Sequence, residues 1–389
     1  VESFLERRGE VHRGWRHHLH QFPELAFQEK ATAAFLADRL RAMGMDDIAT
    51  GIGGTGIVAT LHGNAPGGTI GLRADMDALP ITEETNLPHR SRHEGVSHAC
   101  GHDGHMAMLL AAAEYLAGSR DFAGTVRFIF QPAEEAEGGG RRMVEEGLFE
   151  RFPVDAVFGL HNWPGLPRGV LAAQPGPVMA AMDLFTLRLE GEGVHAAMPH
   201  LGSDTIVAAG SLITALQTIV SRRVPALSAA VVSLTQIHGG RSLNALPGEV
   251  VLQGTVRTLS EETRAAVRDS IAQIAAGIAA AHGVRVTTRF DPRYPVTVNA
   301  PGPTRFSAAV ARALWGDARV VTEYEPSMAS EDFAFMLAAK AGSYAWIGTG
   351  DDTPLHNPSF DFDDAVLPLG AAYWVALVRS WGRGEGMEG

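Results

Sequence analysis

The 389-residue chain contains a single cysteine, Cys100, so no internal disulfide can hold it together and its fold does not depend on an oxidising compartment. It has no apolar run near the ~18 residues a membrane span requires. The opening stretch, VESFLERRGEVHRGW, is too charged for the apolar segment of a secretory signal. Positive charge is short as well: 32 Lys plus Arg stand against 44 Asp plus Glu, a net of −12. Nucleic acids and anionic membranes are bound chiefly through clustered Lys and Arg, so neither is an expected partner, and a cytoplasmic location is expected. Tandem repeats and low-complexity segments are missing, and only the end, 382–389, is expected to be loose. What is present suits a folded chain, since 46% hydrophobic residues can fill a sizeable core. At ~150 residues per domain the length corresponds to about two domains.

Phe27, Phe35, Leu36 and Leu40 recur at helical spacing within 24–43, and Gly44 follows as a C-cap. Apolar runs at 57–61, 69–72, 126–130 and 156–160 read as short buried strands, with helices at 106–116 and 140–149 between them. That alternation predicts an α/β fold, a mixed sheet covered by helices. From 182 the texture changes to strand, a helix capped by Ser203, strands at 229–237 and 250–257, a helix capped by Ser260, and a strand at 284–290. The order β-α-β-β-α-β is that of a ferredoxin-like unit. A second domain is therefore expected at 182–293, inserted into a first made of 1–181 and 294–389. A strand near 344–347 and a helix over 363–381 complete the first domain. His17, His18 and His20 read as a polar helix face, and Trp163, Trp346 and Trp374 as core.

Gly51-Ile-Gly53-Gly-Thr-Gly56 fits the dinucleotide pattern G-x-G-x-x-G, but the β-like IVATLHG that follows is the wrong context, so a glycine turn is expected. The informative segment is SHACGHDGH at 97–105, which sets the only cysteine two residues from His102 in a glycine turn before a helix. Thiolate and imidazole both suit zinc and similar divalent ions. A buried cysteine beside capping residues, or a nucleophilic Cys–His pair, would read the same way locally. Further ligand-type residues recur at predicted strand ends, where open α/β sheets place their sites. Glu134 and Glu135 follow one strand, His161 ends another, Asp75 and Asp77 end a third, and His356 follows the strand near Trp346. Of two adjacent carboxylates, one can ligate a cation while the other stays a free base; two solvated loop acids are the alternative. Cys100, His102, Glu135, His161 and His356 make a sulfur, nitrogen and oxygen set large enough for two ions. Ser330-Glu331-Asp332 reads as an N-cap with first-turn acids and is left outside the site.

The strings RADMDALPI, SHACGHDGH, QPAEE, GLHNWP, GEGVHAAMPH and LHNPSFDF, in this order over essentially the whole chain, resemble the aminoacylase and glutamate-carboxypeptidase family of two-metal peptidases. More narrowly they resemble its amidohydrolase branch of hippurate, N-acyl-amino-acid and auxin-conjugate hydrolases. The resemblance implies a metallohydrolase domain carrying an inserted ferredoxin-like lid and dimerisation domain. It implies two divalent ions per subunit, zinc or manganese with cobalt or nickel as substitutes, and a homodimer formed through the insertion. Cys100 would bridge the ions, His102 and His161 complete one site, Glu135 and His356 the other, and Glu134 act as general base. His195 would stabilise the oxyanion in the neighbouring subunit's site, Asn244 and Arg257 would bind the substrate carboxylate, and Asp77 would support the ligands from behind. Two departures stand out: Gly193-Val194-His195-Ala196 replaces G-G-H-A, and Asn244-Ala245-Leu246-Pro247 replaces N-V-I-P. The implied reaction is hydrolysis of the amide of an N-acyl amino acid. A dipeptidase acting on small peptides and a cysteine-nucleophile amidase are the alternatives.

Overall fold

The structure is a computed structural model and describes residues 1–135 and 138–383. It forms two compact units, one built from 1–176, 298–325 and the residues from 331 onward, the other from 177–297 and 326–330. In chain order, α1 (Glu2–Gln21) and α2 (Lys30–Met43) precede strands β1 (Asp47–Ile52), β2 (Gly56–His62) and β3 (Ala65–Asp75). Then come α3 (His102–Ser119), β4 (Ala123–Gln131), α4 (Gly139–Glu145), α5 (Leu148–Arg151), β5 (Ala156–Trp163), β6 (Leu171–Ala172) and β7 (Gly176–Met179). The inserted segment supplies β8 (Ala181–Glu190), α6 (Thr205–Leu216), β9 (Ala230–Gly239), β10 (Glu249–Thr258), α7 (Glu261–His282) and β11 (Arg285–Tyr294). The chain ends with β12 (Thr297–Asn299), α8 (Pro301–Trp315), β13 (Val320–Val321), α9 (Phe333–Ala339), β14 (Gly342–Gly348) and α10 (Leu367–Gly382).

The first unit is built on an eight-stranded mixed sheet in the order β1-β2-β4-β3-β5-β14-β6-β13. Its centre is parallel: β3 pairs with β4 and β5, and β5 with β14, all in the same direction. Strands buried on both faces lose the polar alternation, as the buried runs of β5 and β14 show. Helix α3, buried from His102 through Ala113, is apolar on every side and packs between α1 and α10. No helix among the described residues is long and apolar enough to cross a membrane.

The second unit is a four-stranded antiparallel sheet in the order β11-β8-β10-β9, with α6 and α7 on it. Phe185, Leu187 and Leu189 alternate inward along β8, as Val250, Leu252 and Val256 do along β10, onto Leu212 and Leu216 of α6 and Val267 and Ile271 of α7. This is the expected ferredoxin-like arrangement.

Several local expectations are corrected. The helix expected from 24 begins at Lys30; Glu24 lies in the preceding turn, its carboxylate accepting the free N–H groups of Ala31 and Thr32 at 3.1 and 2.8 Å. The helix expected over 140–149 is two, broken at Gly147, whose φ of 85° is left-handed. Asp204, not Ser203, caps α6 through Ile206 and Val207; the Ser203 hydroxyl instead donates to the Gly283 carbonyl. His20 is not on a polar surface: it is 1% exposed and bonded to Asp103 at 2.8 Å. Of the end expected to be loose, Gly382 closes α10, and 384–389 lie outside the described residues.

Candidate active site

Parallel pairing puts the carboxyl ends of β3, β4, β5 and β14 on one edge of the sheet. Asp75 and Asp77 end or follow β3, Glu134 and Glu135 follow β4, His161 lies near the end of β5, and His356 lies in the loop after β14. Helix α3 starts at the same edge, with Cys100 one residue before its N-cap Gly101 and His102 at its first position. Gly101 is required there twice over: its φ is 89°, and a Cβ would sit 2.3 Å from Asn162 Oδ1. The His356 amide donates to the Ala99 carbonyl at 2.8 Å, tying the last loop to the cysteine turn.

Donor atoms of Cys100, His102 and Glu135 lie within 4.8 Å of one another, as do those of Asp75, His102, His105 and His161. His161 Nε2 is 3.5 Å from Cys100 Sγ, and His356 Nε2 is 3.3 Å from Glu135 Oε1. The imidazoles are oriented from behind. His102 Nδ1 donates to the Asp77 carbonyl at 2.9 Å and His161 Nδ1 to the Asn162 carbonyl at 2.7 Å, which turns each Nε2 inward. Asp77 also accepts the Glu135 amide at 2.9 Å, so it steadies two donors. His102 Nε2 and Glu135 Oε1 are buried without a hydrogen-bond partner and lie 3.7 Å apart.

The donor chemistry fits divalent ions. Burial, with the charges of Glu135 and Glu134, pushes the Cys100 thiol well above its ordinary range. Burial, then Glu331 and Glu135, push Glu134 up in the same way. Burial and His105 hold His161 down, neutral as a ligating imidazole must be. Burial lowers His102, but Asp75 and Asp77 outweigh it and bring it up to about 10. Among the described residues the cluster thus carries more acid than protein cations offset, and added protons would restore the balance. Cations bound by these donors would do the same and would make the thiol a thiolate. A nucleophilic cysteine, by contrast, needs a lowered pKa, which this environment opposes.

Glu134 is buried beside these donors and directed elsewhere, with Oε1 3.4 Å from the Asp332 amide. Sequence reasoning left Glu331 and Asp332 out, yet they stand at the centre of this face. The Asp332 carboxylate accepts from Gln131 Nε2 and the Gly140 amide, both at 2.7 Å, and so clamps the two ends of the loop bearing Glu134 and Glu135. Arg73, fully buried, joins Asp332, Glu331 and Asp75 at 3.1, 2.8 and 2.7 Å. Asp75 in turn takes His105 Nδ1 at 2.6 Å, and His105 Nε2 meets Asn162 Oδ1 at 2.5 Å, so His105 is fully engaged and serves as a brace. The only sequence signal for this layer was a run of polar residues inside buried strands and at helix starts, which capping explained equally well.

The remaining predicted residues belong to the inserted unit. His195 forms an isolated antiparallel bridge with Ala245; the Ala196 amide donates to the Asn244 carbonyl at 2.9 Å, so the two segments form one structure. Asn244 Oδ1 accepts from Ser242 at 2.6 Å. Arg257, in β10, donates to Ser330 Oγ at 2.5 Å; burial lowers its pKa.

Residues 71–380 match the sequence profile of Peptidase family M20/M25/M40. The chain is 41% identical to a hippurate hydrolase of Campylobacter jejuni over 98% of this chain and 99% of that protein. It is also 41% identical to an N-acetyl-L-cysteine deacetylase of Bacillus subtilis, over 93% of this chain and 86% of that one. A solved structure from Bacillus subtilis, described as a dinuclear metal binding peptidase of the M20 family, superposes with a TM-score of 0.86 at 34% identity, covering 97% and 99% of the two chains.

Proposed function

The chain belongs to Peptidase family M20/M25/M40, and from that premise we propose that it is a metal-dependent amidohydrolase cleaving N-acyl amino acids to a carboxylic acid and a free amino acid. One observation carries the reading: a mixed thiol, imidazole and carboxylate donor set with a second, buried carboxylate beside it and outside it. Relatives that act on hippurate and on N-acetyl-L-cysteine support the same bond type.

In this reading Cys100, His102, His161, Glu135 and His356 would hold two divalent ions, the cysteine serving both. Zinc and manganese both suit these donors. When bound, such ions lower the pKa of a water and polarise a carbonyl. Glu134 takes the proton of the attacking water and passes it to the departing amine, a task that needs a carboxylate near the ions yet free of them. The Asp332 amide holds that carboxylate in place. Arg257 offers a planar fork to the substrate carboxylate, with Asn244 beside it in this role, and His195 stabilises the oxyanion. The inserted unit serves as lid and dimerisation domain, and His195 acts on the partner's site. A cytoplasmic location fits a chain whose one cysteine is a metal ligand.

Turnover of N-benzoylglycine and N-acetyl amino acids, with and without a chelator, tests the reading. Activity abolished by chelation and restored by zinc, manganese or cobalt is expected. Turnover that survives chelation and is lost to a thiol reagent would favour the cysteine amidase instead.

A further inference from the structure

The residue before Glu134 has an unusual backbone. Ala133 has a φ of 54°, a left-handed conformation in which a Cβ crowds the following carbonyl oxygen, so its surroundings must hold it there. They hold both of its backbone groups: the Ala133 amide donates to the Glu29 carboxylate at 2.9 Å, and its carbonyl accepts the Gly139 amide at 3.0 Å. Ala133 and Glu29 are both fully buried. We propose that Glu29 is a positioning residue for the reaction: by holding the Ala133 amide it fixes the direction in which Glu134 leaves the backbone. The inference rests on the reading of Glu134 as general base and adds to it the group that sets its aim.

A glutamate at position 29 would ordinarily serve the helix it opens. Glu29 is the N-cap of α2, yet its side chain makes no cap hydrogen bond, and Glu24 takes that task at Ala31 and Thr32. The carboxylate of Glu29 is instead divided between two distant partners, Oε1 accepting the Ala133 amide and Oε2 the Thr55 hydroxyl at 2.6 Å. With both oxygens engaged it has one orientation. Thr55 belongs to the glycine turn at 51–56, which is itself anchored: the Gly53 amide donates to Glu146 at 2.7 Å, and a Cβ on Gly53 would sit 2.6 Å from Met143 Cγ. The G-x-G-x-x-G pattern thus supports Glu29.

Without the Glu29 contact Ala133 is free to return to the right-handed region, a change of roughly 120° in φ. Glu134 is the next residue, so its side chain is redirected. Glu135 has an anchor of its own, the hydrogen bond from its amide to Asp77 at 2.9 Å. The base and its neighbouring ligand are therefore held by different groups, and the loss of Glu29 should separate them.

Kinetics on N-benzoylglycine, metal analysis and amide hydrogen exchange, all on the metal-loaded enzyme, test the proposal. Glu29→Ala should retain two ions and an unchanged KM while kcat falls on the order of 10², the cost of displacing a reacting group by about 1 Å. Exchange of the Ala133 amide should quicken. Glu29→Gln keeps an oxygen for that amide and should bring kcat to within about tenfold of the parent. Glycine adopts the left-handed conformation unaided, so adding Ala133→Gly to Glu29→Ala should recover roughly tenfold of the lost kcat, a rescue that a role elsewhere in the fold would not give. Glu29→Asp, which withdraws the carboxylate by about 1.5 Å, carries the same test if the alanine variant fails to fold. Unchanged kcat and exchange in the folded variants would overturn the proposal. So would loss of metal along with activity, a glutamine variant as impaired as the alanine one, or no rescue by glycine. If Glu134→Gln itself leaves kcat unchanged, the general-base reading fails, and the exchange rates still decide whether Glu29 holds this backbone.

Discussion

Glu134 and Glu135 are adjacent in sequence and differ in their partners: one meets the Asp332 amide, the other His356 and the cysteine cluster. Their losses should therefore differ in kind. Glu134→Gln should keep both ions, measured by metal analysis, while kcat falls by roughly 10²–10⁴, the usual worth of a general base. An inactive Glu134→Gln protein that had also lost its metal would reverse the assignment. Arg257→Ala should weaken free-acid substrates by about 1.5–3 kcal/mol and spare their carboxamide analogues, as expected for a charge-assisted hydrogen bond. Equal losses on both would make Arg257 a strand residue that only fixes Ser330. At this scale the donor types were legible, because thiol, imidazole and paired carboxylates are scarce and chemically distinct. His105 and Asp332 were not, because bracing residues look like any buried polar side chain until their partners are known.

Among the elements, α3 does the most positioning, since its first turn carries His102, Asp103 and His105. Asp103 is bound from α1 by Arg16 at 2.7 Å and His20 at 2.8 Å, all three buried. Burial pulls His20 down, yet the Asp103 charge and its hydrogen bonds to Asp103 and Glu83 prevail and hold it at about 9. A histidine raised above its ordinary 6.5 stabilises the fold fully below that pH and loses the contribution as pH rises through about 9. Thermal unfolding from pH 6 to 10 should thus show a loss of stability on the order of a few kcal/mol that His20→Gln lacks. Parallel pH curves for the two proteins would refute the buried charge. The sequence pattern placed His20 on a polar face because helical periodicity sorts polar from apolar residues and cannot see a buried acid contributed by another helix.

For the whole molecule, the proposed homodimer makes catalysis depend on two chains. Mixing His195→Ala with Glu134→Gln protein, under conditions shown to exchange subunits, should form heterodimers in which one site holds both residues. Activity should rise well above that of either parent. If His195 served its own subunit, every site would lack one of the two residues and no activity would return. The edge strand β9 and the exposed Leu227, Ile237 and Leu243 lie in the unit to which this role is given. An uncovered edge and apolar surface of that kind favour pairing.

The sequence by itself determined the class of fold and, through its resemblance to a known family, the reaction type, and it proposed the donor set. Buried parallel strands, alternating antiparallel strands and scarce ligand residues are local patterns, readable within a few neighbours. Only the tertiary structure decided that Arg73 joins Asp75 to Glu331 and Asp332, that Asp332 closes the loop of Glu134 and Glu135, and that the Glu29 carboxylate reaches the Ala133 amide. Each of these pairs groups far apart in the chain, and their chemistry comes from burial and mutual distance, which no local pattern encodes.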